Sequence, residues 1–397
     1  MRVRIGVALL LILAAAAAWS YLRPIPAVVA KPALPASDLV AGTPPVIPWP
    51  ARGSASLSVQ GLGFIATSGN EQAIPAASVT KVMTALLILE DKPLTVNDPG
   101  PTITITDLDV QSYRLDAAGN QSVAAVAAGE QLTELQALEG MLIPSANNLA
   151  ETLARWDAGS VGAFVARMNT RAAALDMTHT RYADVSGASP ASVSTPSDLV
   201  RLGIIAMKQA VFARVVGMPQ AELPVAGTVY NVDSVLGESG IIGIKTGSGL
   251  SSGANFLFAA NLTVDGRPIT VFGCVMGQAT LAAAFRAASA LIAPLATALH
   301  VRRVVARNET VATYTAPWGA QSDLLSSVDV DVIEWPGMVL RQRVAARALV
   351  IDRPIAAGSP EGTLHMVLGD YVIDDPIVTA DPMYPPGRLW RLTRLSL

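Results

Sequence analysis

Cysteine is almost absent from this 397-residue chain: Cys274 stands alone, which excludes an intramolecular disulfide and any multi-cysteine zinc or iron–sulfur site. Histidine is scarce as well, with three residues, and this argues against a histidine-built metal centre. Charged residues make up only 15% and the net charge is −3, so no cationic surface for nucleic acid is expected. No cofactor is predicted, and any chemistry must use hydroxyls, amines and carboxylates.

Apolar residues are abundant instead, at 51%, which excludes intrinsic disorder as the main state. At the start of the chain, Arg2 and Arg4 precede an uncharged apolar run over residues 5–19. This pattern predicts that residues 1–22 are either a cleaved signal peptide or an uncleaved anchor in the cytoplasmic membrane. Both alternatives place the body of the protein outside that membrane, in the cell envelope or secreted.

Composition and periodicity divide the remainder into three parts. Residues 23–53 are rich in proline and predict an extended, semi-rigid linker. Residues 54–300 begin and end with strand patterns around a largely helical middle, which indicates an α/β domain of the α+β type with an antiparallel sheet and a helical cluster. Residues 301–397 alternate short strand patterns with turn residues and predict a small β-rich C-terminal domain.

The last ten residues, 388–397, place arginine and leucine at every third position. A final strand or a tail packed on the C-terminal domain is the favoured interpretation, because ten residues are few for a stable helix on a membrane surface. The alternative is such an interfacial helix. Under the favoured interpretation, lasting membrane attachment depends on residues 5–22.

Lysine usage gives the first chemical indication, since only five of 28 basic residues are lysines. Unlike arginine, a buried lysine can lose its proton near neutral pH. Lys81 follows Ser78 in the S-x-x-K pattern at a predicted helix start, and the i, i+3 spacing places amine and hydroxyl on one helix face. A desolvated Lys81 could accept the Ser78 proton and activate the hydroxyl as a nucleophile. Taken alone, the S-x-x-K pattern is weak, and a helix N-cap is the default explanation of Ser78.

Two further patterns carry polar groups suited to a cleft. Ser145 and Asn147 form S-x-N after Pro144, in a break between predicted helices, where a helix N-cap is the simpler explanation. Lys245-Thr246-Gly247 ends an apolar strand and could bind a carboxylate beside an extended peptide. The simpler explanation there is an edge-strand lysine that discourages aggregation.

The three patterns occur in the order S-x-x-K, S-x-N and K-T-G, with their first residues 67 and 100 positions apart, on a predicted helix, loop and strand. Their joint occurrence is typical of penicillin-binding proteins and β-lactamases. A G-x-S-x-G match over residues 249–253 competes as a nucleophile motif. It leads into another strand and not into a helix, so we interpret it as a hairpin turn.

The chain closely resembles the serine-type D-alanyl-D-alanine carboxypeptidases, the low-molecular-mass penicillin-binding proteins, in their actinobacterial form. The resemblance covers about residues 55–300. It rests on the three patterns and on the segments around and between them. These segments are residues 74–85 around Ser78, residues 144–148 and 164–169, the Ser-Gly pair at 186–187, and S-T-P-S-D-L at 194–199. It implies a β-lactamase/transpeptidase-like fold, a peptidoglycan pentapeptide ending in D-Ala-D-Ala as substrate, and β-lactam antibiotics as covalent inhibitors.

The resemblance also implies a role for each matching residue. Ser78 would be the acylated nucleophile, Lys81 its base, and Ser145 a proton relay to the leaving D-alanine. Asn147 would hold the peptide backbone. Lys245 and Thr246 would bind the terminal carboxylate of the substrate, and Gly247 and Ser248 follow them in the substrate-binding strand. The backbone N–H groups of Ser78 and Ser248 would form the oxyanion hole.

Four functions remain open on sequence grounds. The carboxypeptidase is favoured, and a D,D-endopeptidase acting on cross-links would use the same residues. A β-lactamase would need a dedicated deacylating glutamate, which the sequence does not locate. A non-catalytic cell-wall binding protein would not need an intact Ser78 and Lys81.

Overall fold

The protein is described by a computed structural model over residues 2–68 and 71–394. Its contacts divide the chain into two units. The larger unit comprises residues 45–299, and the β unit combines residues 1–44 with residues 300–397. The N-terminal segment thus shares a unit with the C-terminal quarter of the chain.

The helices cluster in the middle of the sequence, as the 3.6-residue periodicity predicts. In chain order they are α1 (Arg2–Leu22), α2 (Lys81–Asp91), α3 (Asp107–Ala118), α4 (Glu134–Leu142), α5 (Asn147–Ala158), α6 (Val161–Ala174), α7 (Pro196–Ala206), α8 (Ala210–Val216), α9 (Leu281–Ile292), α10 (Leu295–Ala298) and α11 (Arg388–Thr393). Two short 3₁₀ turns occur at Ala77–Thr80 and Glu238–Gly240.

The strands lie mainly at the two ends of the larger unit and throughout the β unit. In chain order they are β1 (Ala30–Pro32), β2 (Ser37–Leu39), β3 (Ser54–Val59), β4 (Gly63–Thr67), β5 (Ile74–Pro75), β6 (Thr102–Thr104), β7 (Gln131–Thr133), β8 (Val193–Ser194), β9 (Gln220–Leu223), β10 (Gly227–Tyr230), β11 (Ile241–Gly249), β12 (Gly253–Val264), β13 (Arg267–Gln278), β14 (His300–Val305), β15 (Thr310–Thr315), β16 (Gln321–Ser326), β17 (Val330–Glu334), β18 (Val339–Ala346), β19 (Pro360–Leu368) and β20 (Tyr371–Thr379).

The larger unit is built on an antiparallel sheet in the order β11-β12-β13-β3-β4, which leaves β11 at one edge. Helices α7 and α9 pack on this sheet, and α2 runs through the helical cluster with nine of its residues buried. The predicted α+β class is confirmed. The G-x-S-x-G match is a hairpin turn, as predicted, because Gly249 pairs with Gly253 across β11 and β12.

The capping residues predicted from the sequence for α4 are the ones that the structure has. Thr133 accepts a hydrogen bond from the Gln136 backbone N–H, and the Gln136 side chain accepts one from the Thr133 backbone N–H, which completes a capping box. Helix α4 ends at Leu142, just before Pro144 breaks the helical run. This break places Ser145 between α4 and α5.

The prediction of an extended linker over residues 23–53 is wrong for part of that segment. Strand β1 pairs with β15 and β2 pairs with β18, so these short strands form the two edges of the seven-stranded sheet of the β unit. Proline suits such positions because an edge strand can lack a backbone donor on its outer side. Proline content alone therefore did not distinguish a spacer from an edge strand.

The tail forms neither a last strand nor a long amphipathic helix. Residues 388–393 form α11, whose Trp390 ring lies 5.2 Å from the Trp318 ring of the β unit in an edge-to-face arrangement. The contact agrees with a tail packed on the C-terminal β domain, but the conformation is helical. Residues 395–397 lie outside the described residues.

Candidate active site

Ser78 lies in the 3₁₀ turn that leads directly into α2, and its side chain is half-buried at the surface of the larger unit. The residue before it, Ala77, has φ +50°, in the left-handed region that non-glycine residues rarely occupy. The N-cap residues of the turn and of α2 are Ala76 and Thr80, and neither end has a side-chain cap hydrogen bond. The N-cap interpretation of Ser78 is therefore wrong.

Lys81 is fully buried, and its Nζ lies within hydrogen-bond distance of three oxygens. These are Ser78 Oγ at 2.9 Å, Asn147 Oδ1 at 2.6 Å and the Ser186 carbonyl at 2.9 Å. Burial, and secondarily the positive charge of Lys245, hold the pKa of Lys81 well below its usual range. The site therefore favours the neutral amine.

The three oxygens match the bonding capacity of a neutral amine. The Asn147 and Ser186 oxygens can only accept hydrogen bonds, and they take the two N–H groups of Lys81. The Ser78 hydroxyl can also donate, so it can direct its proton to the remaining lone pair of Nζ. This is the geometry that a general base needs toward its nucleophile.

Asn147 is the first residue of α5, and both the oxygen and the nitrogen of its side-chain amide are hydrogen-bonded. Nδ2 donates to Gln121 Oε1 at 3.2 Å, which turns Oδ1 toward Lys81. The sequence did not identify Gln121, because it lies in a loop 26 residues before Asn147 and belongs to no motif. A long-range side-chain pair of this kind becomes visible only in the folded chain.

Ser145 is strained and lacks a partner. Its φ is +68°, and its Oγ is buried with no hydrogen-bond partner in the described part of the chain. The N-cap of α5 is Ala146, so the N-cap interpretation of Ser145 is wrong as well. Both a buried unsatisfied hydroxyl and a left-handed φ cost free energy, and such features concentrate at functional sites.

Lys245 and Thr246 lie on β11, at the edge of the sheet, and both are buried. Among the described residues, Lys245 Nζ donates one long hydrogen bond, of 3.3 Å, to the Thr246 carbonyl. Burial lowers the pKa of Lys245 to about 7, and the charge of Asp233 opposes that shift. A lysine that protects an edge from aggregation extends into solvent. Lys245 does not, so that interpretation is wrong.

Gly247 allows β11 to approach Ser78 closely. A Cβ at this position would lie 3.0 Å from the Ser78 backbone nitrogen and 3.0 Å from the Ala76 carbonyl oxygen. Only a residue without a side chain fits there unchanged. The next residue, Ser248, is exposed. The strand thus brings the backbone of Gly247 alongside the start of the 3₁₀ turn.

We expect Gly247→Ala to lower the rate of acylation by about a hundredfold, because the added Cβ must push β11 away from the Ser78 backbone N–H. The rate is measured with a fluorescent penicillin. Ser248→Ala is the matched control on the same strand, since it changes an exposed side chain and leaves the backbone in place. Equal acylation rates for the two variants would show that this close approach has no catalytic role.

A loop beginning at Asp184 presents the Ser186 carbonyl to Lys81. The Asp184 carboxylate accepts hydrogen bonds from the Ser186 backbone N–H at 3.2 Å, the Ser186 hydroxyl at 2.8 Å and the Ala188 N–H at 2.9 Å. Gly187 has φ +81°, and a Cβ there would lie 1.8 Å from the Ala77 carbonyl oxygen. The loop is thus held against the turn that carries the nucleophile.

Asn255 on β12 fixes the chain that enters this turn. Its fully buried Nδ2 donates to the carbonyls of Pro75 and Ala76 at 3.0 and 3.1 Å, and its Oδ1 accepts from the Gly277 N–H at 2.9 Å. The sequence analysis did not select Asn255, which lies in an apolar strand pattern. A polar residue within such a run was the available signal.

The structure thus gathers the predicted residues Ser78, Lys81 and Asn147 into one hydrogen-bonded group, with Gly247 in close approach to Ser78. In the described ranges, no group of three or more histidine, cysteine, aspartate or glutamate side chains has the arrangement of a metal site. A family model for D-alanyl-D-alanine carboxypeptidase, Peptidase_S11, matches residues 62–280, more than half of the chain. The chain belongs to this family.

Known members of this peptidase family show the extent of the similarity. A D-alanyl-D-alanine carboxypeptidase of Streptomyces sp. strain K15 is 30% identical over 225 residues, which cover 52% of this chain and 73% of that protein. A D-alanyl-D-alanine endopeptidase of Pseudomonas aeruginosa is 34% identical over 160 residues, or 40% of this chain. The chain spans about half the length, 48%, of that endopeptidase.

Solved structures agree with this assignment. The crystal structure of the Streptomyces K15 DD-transpeptidase matches with a TM-score of 0.55 and 29% identity, over 64% of this chain and 98% of that one. The D-alanyl-D-alanine carboxypeptidase DacD of Francisella tularensis matches over 88% of this chain and 97% of its own, with a TM-score of 0.61 and 18% identity. This second likeness supports the fold alone. The predictions of the family and the fold are confirmed.

Proposed function

We propose that this protein hydrolyses the terminal D-alanyl-D-alanine bond of peptidoglycan stem peptides through an acyl-enzyme on Ser78. The observation that carries the proposal is the 2.9 Å contact between Ser78 Oγ and the buried Nζ of Lys81. A half-exposed hydroxyl beside a desolvated amine is an activated nucleophile that needs neither histidine nor metal. A non-catalytic wall-binding protein has no need of this arrangement.

In the proposed acylation step, Ser78 Oγ attacks the carbonyl carbon of the penultimate D-alanine. The hydroxyl proton passes to Lys81 Nζ, and the negative charge develops on the carbonyl oxygen, where the backbone N–H groups of Ser78 and Ser248 would stabilise it. The C–N bond then breaks. The departing amine receives this proton from Lys81 by way of Ser145, whose buried Oγ has no partner within the described residues, and Lys81 becomes neutral again.

In the proposed deacylation step, water attacks the ester carbonyl of the acyl-enzyme. The neutral amine of Lys81 accepts a proton from this water, and the proton returns to Ser78 Oγ as the ester bond breaks. The products are the shortened peptide, with a new carboxylate, and free enzyme. β-Lactam antibiotics would acylate the same Ser78 oxygen and form a long-lived ester.

Lys245 and Thr246 would bind the free carboxylate of the substrate, while Asn147 would contact its backbone through Nδ2. Lys245 Nζ is buried and makes only a long hydrogen bond to the Thr246 carbonyl in the described part of the chain. Such a cation gains strongly from an anionic partner, because the charge of Asp233 offsets the effect of burial only in part. The terminal carboxylate of a D-Ala-D-Ala peptide supplies that partner.

The experiment that tests the proposed function is mass analysis of a synthetic pentapeptide ending in D-Ala-D-Ala, before and after incubation with the protein. We expect the loss of one alanine. Identity of 34% to an endopeptidase makes cleavage of cross-linked muropeptide dimers the second candidate, so a dimer is assayed in parallel. Cleavage of the dimer alone would replace the carboxypeptidase with the endopeptidase. Rapid turnover of penicillin would indicate a β-lactamase, and no reaction with any of the three would contradict a peptidase.

We expect an amidated C-terminus to lower kcat/KM by about ten- to a hundredfold, because the amide loses the charge-assisted hydrogen bonds to Lys245. In Lys245→Ala the acid and amide peptides should be cleaved at similar rates. In the wild type the KM of the acid peptide should also rise as the pH increases through about 7, where free Lys245 loses its proton. A Lys245→Ala variant that still prefers the acid would remove Lys245 from this role.

We also propose that the protein works outside the cytoplasmic membrane, where peptidoglycan lies. The support is helix α1, in which residues 5–22 are long and apolar enough to cross a bilayer, with a mean hydropathy of 2.2. Residues 281–298 pass the same test, but α9 within them packs on the sheet of the larger unit. Only α1 is therefore proposed as an export or anchoring segment.

A further inference from the structure

The far end of α1, near Leu22, is held by the last described residue of the chain. The Arg394 guanidinium donates to the backbone carbonyls of Ser20 and Pro24, both at 3.0 Å, and to that of Arg23. The last carbonyls of a helix have no partner within the helix, and a cation there also opposes the negative end of its dipole. Arg394 therefore acts as a C-terminal cap of α1, supplied from the opposite end of the chain.

Ser20 completes the connection from the side of α1. Its hydroxyl donates to the Arg391 carbonyl at 2.8 Å and is 3.2 Å from the Arg394 carbonyl. The Arg391 guanidinium lies 5.7 Å from the centre of the Tyr21 ring. Both Ser20 and Arg394 are less than 10% exposed, so these hydrogen bonds are shielded from water.

The outer surface around this junction is apolar and aromatic. Trp19 and Leu22 of α1 are 73% and 79% exposed, and Leu389 of α11 is 75% exposed. Only 6% of residues 5–22 is buried. Exposed tryptophan and leucine beside arginine at the end of an apolar span are typical of the boundary between a bilayer and water.

We propose that α1 is retained in the mature enzyme as a transmembrane anchor and that α11, clamped to it by Arg394, lies in the lipid headgroup region. The lipid bilayer is the partner that fits, because α1 presents a span-length apolar surface that no part of the described chain covers. Cleavage after Ala30 would remove all three carbonyl acceptors of a buried guanidinium, which is costly. This inference concerns attachment and does not depend on the proposed reaction.

The first test is the intact mass of the full-length protein after expression in a bacterium and separation of membranes from the soluble fraction. We expect the membrane fraction to hold the chain with residues 1–22 still attached. A soluble protein that begins near residue 19 or 31 would overturn the proposal. The protein is detected by its mass and not by penicillin labelling. The test therefore gives an answer even if the protein lacks the proposed activity.

The second test measures how firmly the hydrogen bonds of Arg394 hold α11 to the end of α1. Full-length protein in vesicles of phosphatidylglycerol and phosphatidylethanolamine is treated with chymotrypsin, and release of a C-terminal tag through cleavage near Trp390 is timed. Arg394→Ala should release the tag about tenfold faster than the wild type, since it loses three hydrogen bonds from a charged group. Arg388→Ala, which removes an exposed arginine of the same helix, should behave as the wild type. Equal rates for all three proteins would overturn the clamp.

Discussion

Ser78→Ala is expected to abolish pentapeptide cleavage and covalent penicillin labelling together, with a loss of about 10⁴-fold or more in kcat. Both reactions require the same oxygen, and no other described hydroxyl contacts Lys81 Nζ. Stability should change little, because Ser78 is half-buried and its hydroxyl caps neither the turn nor α2. Mass analysis, gel fluorescence and thermal unfolding measure the three quantities.

Ser251→Ala is the matched control for this variant. Ser251 is the serine of the G-x-S-x-G match and is exposed in the hairpin between β11 and β12. We expect wild-type cleavage and labelling from it. If Ser78→Ala retained activity while Ser251→Ala lost it, the nucleophile would have to be reassigned to the hairpin.

Lys81→Met is expected to lower the acylation rate by about 10³-fold, because it removes the proton acceptor while keeping a side chain of similar length. The exposed Lys208 provides the control Lys208→Met, for which we expect no change. Stopped-flow labelling with fluorescent penicillin measures the rate. Lys81→Met also leaves the Asn147 and Ser186 oxygens without their hydrogen-bond donor, which could destabilise the fold. Thermal unfolding shows whether a slower reaction comes from the missing base or from unfolding.

The pH dependence of acylation by the wild type provides a further test of Lys81 as the base. Burial and the Lys245 charge lower the pKa of Lys81, so the neutral base persists to lower pH than in an exposed lysine. Acylation should decline only when the pH falls far enough to protonate Lys81. A rate that instead follows the titration of an ordinary exposed lysine would contradict a desolvated base.

The three motifs were predictable because their chemistry is written in residue type and spacing. Ser78 and Lys81 meet across one turn, and local geometry alone brings an i, i+3 pair together. The capping box of Thr133 and the hairpin at residues 249–253 are local in the same sense, and the structure has both. Patterns of this kind need only a few neighbouring residues to form.

Other parts of the site depend on residues distant in sequence. Gln121 orients Asn147, Asp184 shapes the loop that presents the Ser186 carbonyl, and Asn255 holds the segment before Ser78. Asp184 holds neighbours two and four residues away, whereas nothing next to Gln121 or Asn255 in the sequence reveals its partner. The hydrogen bonds of Gln121 and Asn255 arise from packing, which places together groups 26 to 180 residues apart.

Sequence by itself predicted the Ser78–Lys81 pair, the antiparallel α+β class, the apolar N-terminal segment and the family. Tertiary structure alone decided whether Ser78 and Ser145 are helix caps, whether residues 30–39 are linker or edge strand, and what Arg394 contacts. The reason is physical. Periodicity and spacing report what a segment can form, whereas caps, edges and buried charges are settled by the partners that the fold supplies.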